Sequence, residues 1–226
     1  KKEDEAGRLK VGGNVRYRHS STDQLSTTNS ESFLTSGANS SFSNRMNRSK
    51  SGNTNVNSNF RLEWSPDTMT RIMFRPNFSF SQNYSDGQSS SVTFNDNPYT
   101  RGMTDPLSQY RDYVSDNRRW SHSDGQSYSV DGMLMVNRRL NSKGRNLTLR
   151  MRGGYSDSDN KSFNISDVNY FLQRKPGGGY DRSYMHQYNV NPSKSYNGSA
   201  DLSYSEPLFA GAHLQFSYRY QYRYSD

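Results

Sequence analysis

Between Phe60 and Tyr84 the chain alternates apolar and polar side chains on both sides of one tight turn, and this restricts the fold more than anything else in it. Phe60, Leu62 and Trp64 fall on one side of an extended backbone, and Asn59, Arg61 and Glu63 on the other. Ser65-Pro66-Asp67-Thr68 reverses the chain. Ile72, Phe74, Phe78 and Phe80 then share one face, with Arg71, Arg75, Asn77, Ser79 and Ser81 opposite. Period 2 flanking a turn is the signature of a β-hairpin. Strands of soluble sandwiches run to about 5–6 residues, whereas a tilted strand crossing a bilayer needs about 9–11. Runs this long, with arginines on the polar side, describe a wall between lipid and a wet lumen.

The same alternation recurs along the chain and predicts seven strands: Arg8–Ser20, Asn53–Trp64, Met69–Tyr84, Ser127–Leu140, Arg145–Tyr155, Lys194–Tyr204 and Ala212–Tyr224. The last is the most regular, with Leu214, Phe216, Tyr218, Tyr220, Tyr222 and Tyr224 against His213, Gln215, Ser217, Arg219, Gln221 and Arg223. Four tyrosines at period 2 near a strand end suit a membrane-interface girdle. The segments 21–52, 85–126 and 156–193 are rich in Ser, Thr, Asn and Gly and read as long loops, with strand extensions near Ser32–Leu34 and Ser41–Arg45. Turn signals stand at Asp86-Gly87, Asn97-Pro98, Asp105-Pro106, Asp124-Gly125 and Pro176–Gly179. Long connections would thus alternate with short ones, the asymmetry of outer-membrane barrels. Pro76 lies inside a strand, where it cannot donate to the ladder, so a bulge or local break is expected there. The fold class expected is all-β, an antiparallel meander of about seven long strands forming part of a transmembrane β-barrel wall.

Composition tests that reading. Only 30% of residues are hydrophobic, a level that suggests disorder, yet 17 Tyr and 11 Phe argue against it. A barrel wall reconciles the two, because only alternate strand residues meet lipid. No run of about 18 apolar residues is present, so no membrane helix is expected. The net charge of +8 raises nucleic acid as a partner, but the basic residues alternate along strand faces instead of forming a block, and no nucleic-acid partner is expected. Cysteine is absent, which removes disulfides and thiol chemistry. The chain lacks an initiator Met and a signal peptide and ends in mid-pattern at Tyr224-Ser225-Asp226, so it is expected to be one partial barrel domain, residues 1–226, of a longer protein.

No catalytic constellation emerges, and the chain is not expected to be an enzyme, to bind a cofactor or to hold a metal. His19, His122, His186 and His213 show no ligand spacing, and Asp157 and Asp159 lack the rest of a calcium loop. Pro176–Gly179 is followed by no Lys-Ser/Thr and is no phosphate loop. The charges of the polar faces remain: Arg61, Glu63, Arg71, Arg75, Asp131, Arg150, Arg152, Asp201 and Arg219. They can pair across strands for about 0.2–1 kcal/mol each. In an intact receptor they could also contact a plug or line a solute path.

FRLEWSPDTMTRIMFRPNFSFS, VTFNDNPY, DGMLMVNRRLNSKGRNLTLR and YSEPLFAGAHLQFSYRYQY, in this order, resemble the barrel of Bacteroidetes outer-membrane β-barrel proteins, which are similar to TonB-dependent receptors. The resemblance runs from Leu9 to Tyr224. It implies residence in a Gram-negative outer membrane, contact with its lipid, a plug domain in the same full-length chain, TonB as a partner through the remainder of that chain, and nutrient uptake. Seven strands would be a slice of such a barrel. Two other functions fit the residues: a structural or secretion-related barrel without a working plug, and a secreted β-rich adhesin.

Overall fold

The computed structural model describes residues 2–3, 8–32, 41–95, 97–101, 114–174, 177–209 and 211–226. They form one antiparallel sheet in which every strand pairs with its neighbour in sequence. β1 (Lys2–Glu3) is a short bridge to β2. The seven long strands are β2 (Leu9–Ser32), β3 (Ser41–Trp64), β4 (Thr70–Phe94), β5 (Ser115–Arg139), β6 (Asn146–Arg174), β7 (Tyr180–Phe209) and β8 (Ala212–Ser225). Among the described residues the sheet does not close, as expected of a segment of barrel wall. No described helix is long and apolar enough to cross a membrane, which leaves crossing by strands open.

The expected long loops are the main correction. Residues 21–32, 41–52, 85–94, 115–126, 156–174 and 180–193 are strand, continuous with the segments predicted beside them and in one register except between Tyr170 and Arg174, where the β6–β7 pairing shifts. Asp86-Gly87 and Asp124-Gly125 lie inside strands and are not turns. Alternation fades there because most residues on both faces are polar, while backbone pairing needs no apolar side chain. Asn97-Pro98 does open a turn, in which Asn97 Oδ1 accepts the Tyr99 N–H at 3.0 Å. Leu34 and Asp105-Pro106 fall outside the described residues.

The tight turns match their sequences. Asp67 Oδ1 accepts the Met69 N–H at 2.7 Å, closing the β3–β4 turn. Asn141 Oδ1 accepts the N–H groups of Lys143 and Arg145 at 3.1 and 3.0 Å, and Gly144 follows with φ 102°. At the other end, Gly177, Gly178 and Gly179 all have positive φ, so three successive residues of the β6–β7 connection take a backbone that side chains disfavour.

At Pro76 the ladder between β3 and β4 lapses. Pairing stops at Asn59↔Asn77 and resumes at Leu62↔Phe74 in the same register, so the break is local and there is no bulge. On its other side Pro76 stays in register with Gly132.

Directly paired residues share a face, and the register carries every predicted apolar set to one side. Leu9–Tyr17, Val56–Trp64, Ile72–Phe80, Tyr128–Val136, Leu147–Tyr155, Tyr196–Tyr204 and Phe216–Tyr224 form a band nine residues long on each strand, with no charged side chain on its apolar face. Nine residues match the length of a membrane-crossing strand. Its upper edge is aromatic on six of the seven strands, at Tyr17, Phe80, Tyr128, Tyr155, Tyr196 and Tyr224, with Val56 on β3; ring centroids of Tyr155 and Tyr196 lie 4.8 Å apart and those of Tyr128 and Tyr155 5.8 Å apart. Among the described residues nothing covers this face; Tyr17 is 67% exposed and Tyr218 68%. The fully enclosed apolar residues lie elsewhere, at the far end of β4, where Phe94 and Pro98 are buried and Asn44 Nδ2 donates to Tyr99 Oη at 2.7 Å.

Candidate functional site

The opposite side of the band is where charge collects. All nine charged residues singled out in the sequence, Arg61, Glu63, Arg71, Arg75, Asp131, Arg150, Arg152, Asp201 and Arg219, project from it, as parity within each strand requires. The structure adds their order. One row runs across the whole sheet as Lys10, Glu63, Met73, Met135, Arg150, Asp201, Arg219.

The row has two charged groups with methionine between them. At one end Glu63 is 9% exposed and sits between two guanidinium groups. Arg61 Nε donates to its Oε1 at 2.7 Å, and Arg71 Nη2 to its Oε2 at 3.3 Å. At the other end Arg219 Nε donates to Asp201 Oδ1. Arg150 is the cross-strand neighbour of Asp201 on its other side, with its Nη2 4.0 Å from Met135 Sδ. Met73, 7% exposed, keeps the two groups apart with a flexible apolar side chain.

A second row holds Arg61, Met133 and Arg152, with Arg75 paired to Met133 and set across the lapsed ladder from Arg61. A third runs Asn14, Asn59, Asn77, Asp131, Gly154, Asn197, Arg223. Asp131 leans over Gly154, where an added Cβ would meet its Oδ1 and make the Asp131 side chain shift. A fourth carries Arg16 and a line of serines, with Ser79 and Ser129 hydroxyls 2.7 Å apart and those of Ser156 and Ser195 also 2.7 Å apart. Lys10, Arg16, Arg223 and the three methionines complete these rows beside the nine. Strand parity alone places the cations on the polar side, but the methionines give no signal, since an apolar residue reads as outward.

Two recesses open on this surface. One of about 690 Å³ is lined by Lys10, Asn14, Asn59, Arg61, Arg75 and Asn77 among others, where the β3–β4 ladder lapses. The other, about 560 Å³, holds Arg150, Asp201, Ser203, Gln215 and Arg219. The chemistry on offer is hydrogen-bond donation and positive charge. Among the described residues no group of His, Asp and Glu could hold a metal.

Outside the band several charges are paired. Arg182 Nε and Nη2 donate to the two oxygens of Asp167 at 2.7 and 2.8 Å, and this guanidinium holds the Asp167 carboxyl below its ordinary pKa. In the β3–β4 turn the Met69 N–H, and then Thr70, lower the Asp67 pKa.

No protein-family model matches the chain, and no curated protein matches it in sequence. Among solved structures, the membrane pore complex of pneumolysin is similar at a TM-score of 0.18 and 8% identity over 84% of this chain, which spans 31% of the length of that one. A likeness that distant fixes neither fold nor function.

Proposed function

We propose that this chain is a segment of the wall of an outer-membrane barrel of the TonB-dependent-receptor-like kind, acting in nutrient uptake. The observation that carries the reading is the uncharged band, nine residues long on every long strand, backed by a charged face. Alternation of lipid-facing and lumen-facing residues under an aromatic girdle is the construction of transmembrane barrels. An all-strand sheet without a long apolar helix is compatible with a β-barrel membrane protein. In this reading lipid covers the apolar face, and the charged rows face the lumen and the plug domain of the full-length chain.

The full-length protein should fractionate with the outer membrane, show heat-modifiable gel mobility, and be captured by the periplasmic domain of TonB. Membrane residence without capture would favour a structural or secretion-related barrel. Release into the medium as a soluble protein would favour the adhesin and end the barrel reading.

A further inference from the structure

We propose that the charged face of the band attracts and selects anionic solutes, those bearing carboxylate or phosphate groups. This rests on the reading above that the face lines a water-filled lumen. Lys10, Arg16, Arg61, Arg71, Arg75, Arg150, Arg152, Arg219 and Arg223 stand there against Glu63, Asp131 and Asp201. That is an excess of six positive charges, most of the +8 of the whole chain, on one side of a stretch whose other side has none.

The carboxylates do not quench this excess. Glu63 is taken up by Arg61 and Arg71, and Asp201 by Arg219. Among the described residues, Arg16, Arg75, Arg152 and Arg223 form no ion pair within 4.0 Å. Arg150 Nε is buried without a hydrogen-bond partner. In the larger recess the guanidinium groups of Arg61 and Arg75 lie beside the amides of Asn14, Asn59 and Asn77. Planar guanidinium donors match carboxylate and phosphate oxygens two at a time.

The positive charge is also confined in height. Above the fourth row, a fifth holds Arg18 as its one charge, beside Asn55, Ser81, Ser127, Ser158 and Ser193, and the three beyond it carry none: Ser20, Asn53, Asn83, Gly125, Asn160 and Asn191; the row of Ser51 and Ser162; and the row of Ser49 and Asn164. Cations therefore form a collar at membrane depth, beneath a neutral hydroxyl and amide lining. A charged wall backed by low-dielectric material focuses its field, and rings of Arg or Lys are how pores select anions.

Local potential can be read in the full-length protein, in outer-membrane vesicles, by the reaction rates of single cysteines with two methanethiosulfonates of similar size. One is the anionic sulfonatoethyl reagent and the other the cationic trimethylammonioethyl reagent. Ser199→Cys lies opposite Arg152 in the collar, and Ser162→Cys in the neutral lining. Relative to a small thiol in solution, Ser199→Cys should favour the anionic reagent about tenfold, and Ser162→Cys should show a ratio near one. Arg75→Gln with Arg152→Gln should bring the Ser199→Cys ratio toward one, as should raised salt in the unaltered arginine background. Should the double variant fail to assemble, the salt series decides. Equal rates at Ser199→Cys, or a preference that survives salt, would overturn the anion assignment and leave the lumen standing. Failure of both reagents at both positions would overturn the lumen reading itself.

Discussion

Gln215 and Phe216 are consecutive on β8 and point to opposite sides of the sheet. Gln215 Nε2 donates to Ser203 Oγ at 2.9 Å on the charged side, while Phe216, 59% exposed, stands opposite Tyr204 on the uncovered side. Arginine on a lipid face at the bilayer midplane costs about 2–4 kcal/mol, falling toward zero near the interfaces, and little in a lumen. Phe216→Arg in the full-length protein should therefore lower assembly and urea stability in lipid far more than Gln215→Arg. Leu214→Arg, one step nearer the turn, should fall between them. Equal tolerance at all three positions would mean that neither side touches lipid.

Sidedness follows from the strand ends. The β6–β7 tip should face outward and the β3–β4 and β5–β6 turns inward. A membrane-impermeant thiol reagent on whole cells should label Ser183→Cys and spare Asp67→Cys and Lys143→Cys. Ser183 serves better than Gly178, whose φ of 87° would strain any side chain placed there. Labelling of Asp67→Cys alone would invert the orientation.

Glu63 pairs with two arginines from an almost enclosed position. Glu63→Gln removes the charge and keeps the shape, leaving Arg61 and Arg71 without a carboxylate. Charge-assisted hydrogen bonds of this kind contribute about 1.5–3 kcal/mol, and the arginines are half exposed, so a loss of about 1–2 kcal/mol is expected in urea unfolding. Glu63→Gln combined with Arg61→Gln should recover part of it. No loss in the single variant would show the cluster to be energetically idle.

The Asp167–Arg182 clamp sets a pH dependence at the β6–β7 tip. The Asp167 pKa is depressed, so its contribution is complete above the ordinary carboxylate range, about 3.9, and disappears as pH falls through the lower folded value. Amide hydrogen exchange from Tyr170 to Asp181 should be constant from neutral pH down to the ordinary carboxylate range and accelerate, beyond the intrinsic pH dependence, only in stronger acid. Asp167→Asn should show the faster exchange already at neutral pH. Identical protection in both proteins would remove the clamp from the tip's stability.

The legible parts of the fold share one physical cause. Where one face must avoid water, sequence alternates, and strands such as Ile72–Phe80 and Phe216–Tyr224 can be read directly. From Thr22 to Ser32 or Ser156 to Asp167 both faces are mostly polar, with Leu25, Phe163 and Ile165 as isolated exceptions, so alternation carries little information and paired strand resembles loop. The side of each charged residue was legible for the same reason, as for Arg150 and Asp201. Their adjacency was not, because it depends on hairpin register, which no single strand encodes. Pro76 was legible as a disturbance; that the register survives it depends on pairing on both sides of the break.

The uncovered band has a consequence for the rest of each strand. A slip of one residue would turn Leu, Phe and Tyr toward the charged side and arginines toward the other, so pairing is pinned there. Beyond Tyr17, Tyr155 or Tyr196 apolar residues are fewer, Trp120 against Phe163 and the buried Val92 and Phe94 among them, so the penalty is smaller and the serine- and asparagine-rich ends take their alignment mainly from the part below, as teeth follow the slider of a zip. Sequence there is free to drift among small polar residues without unsettling the sheet. The half of the wall that stands farthest from the band can thus diversify what it presents, while the half that anchors it stays fixed.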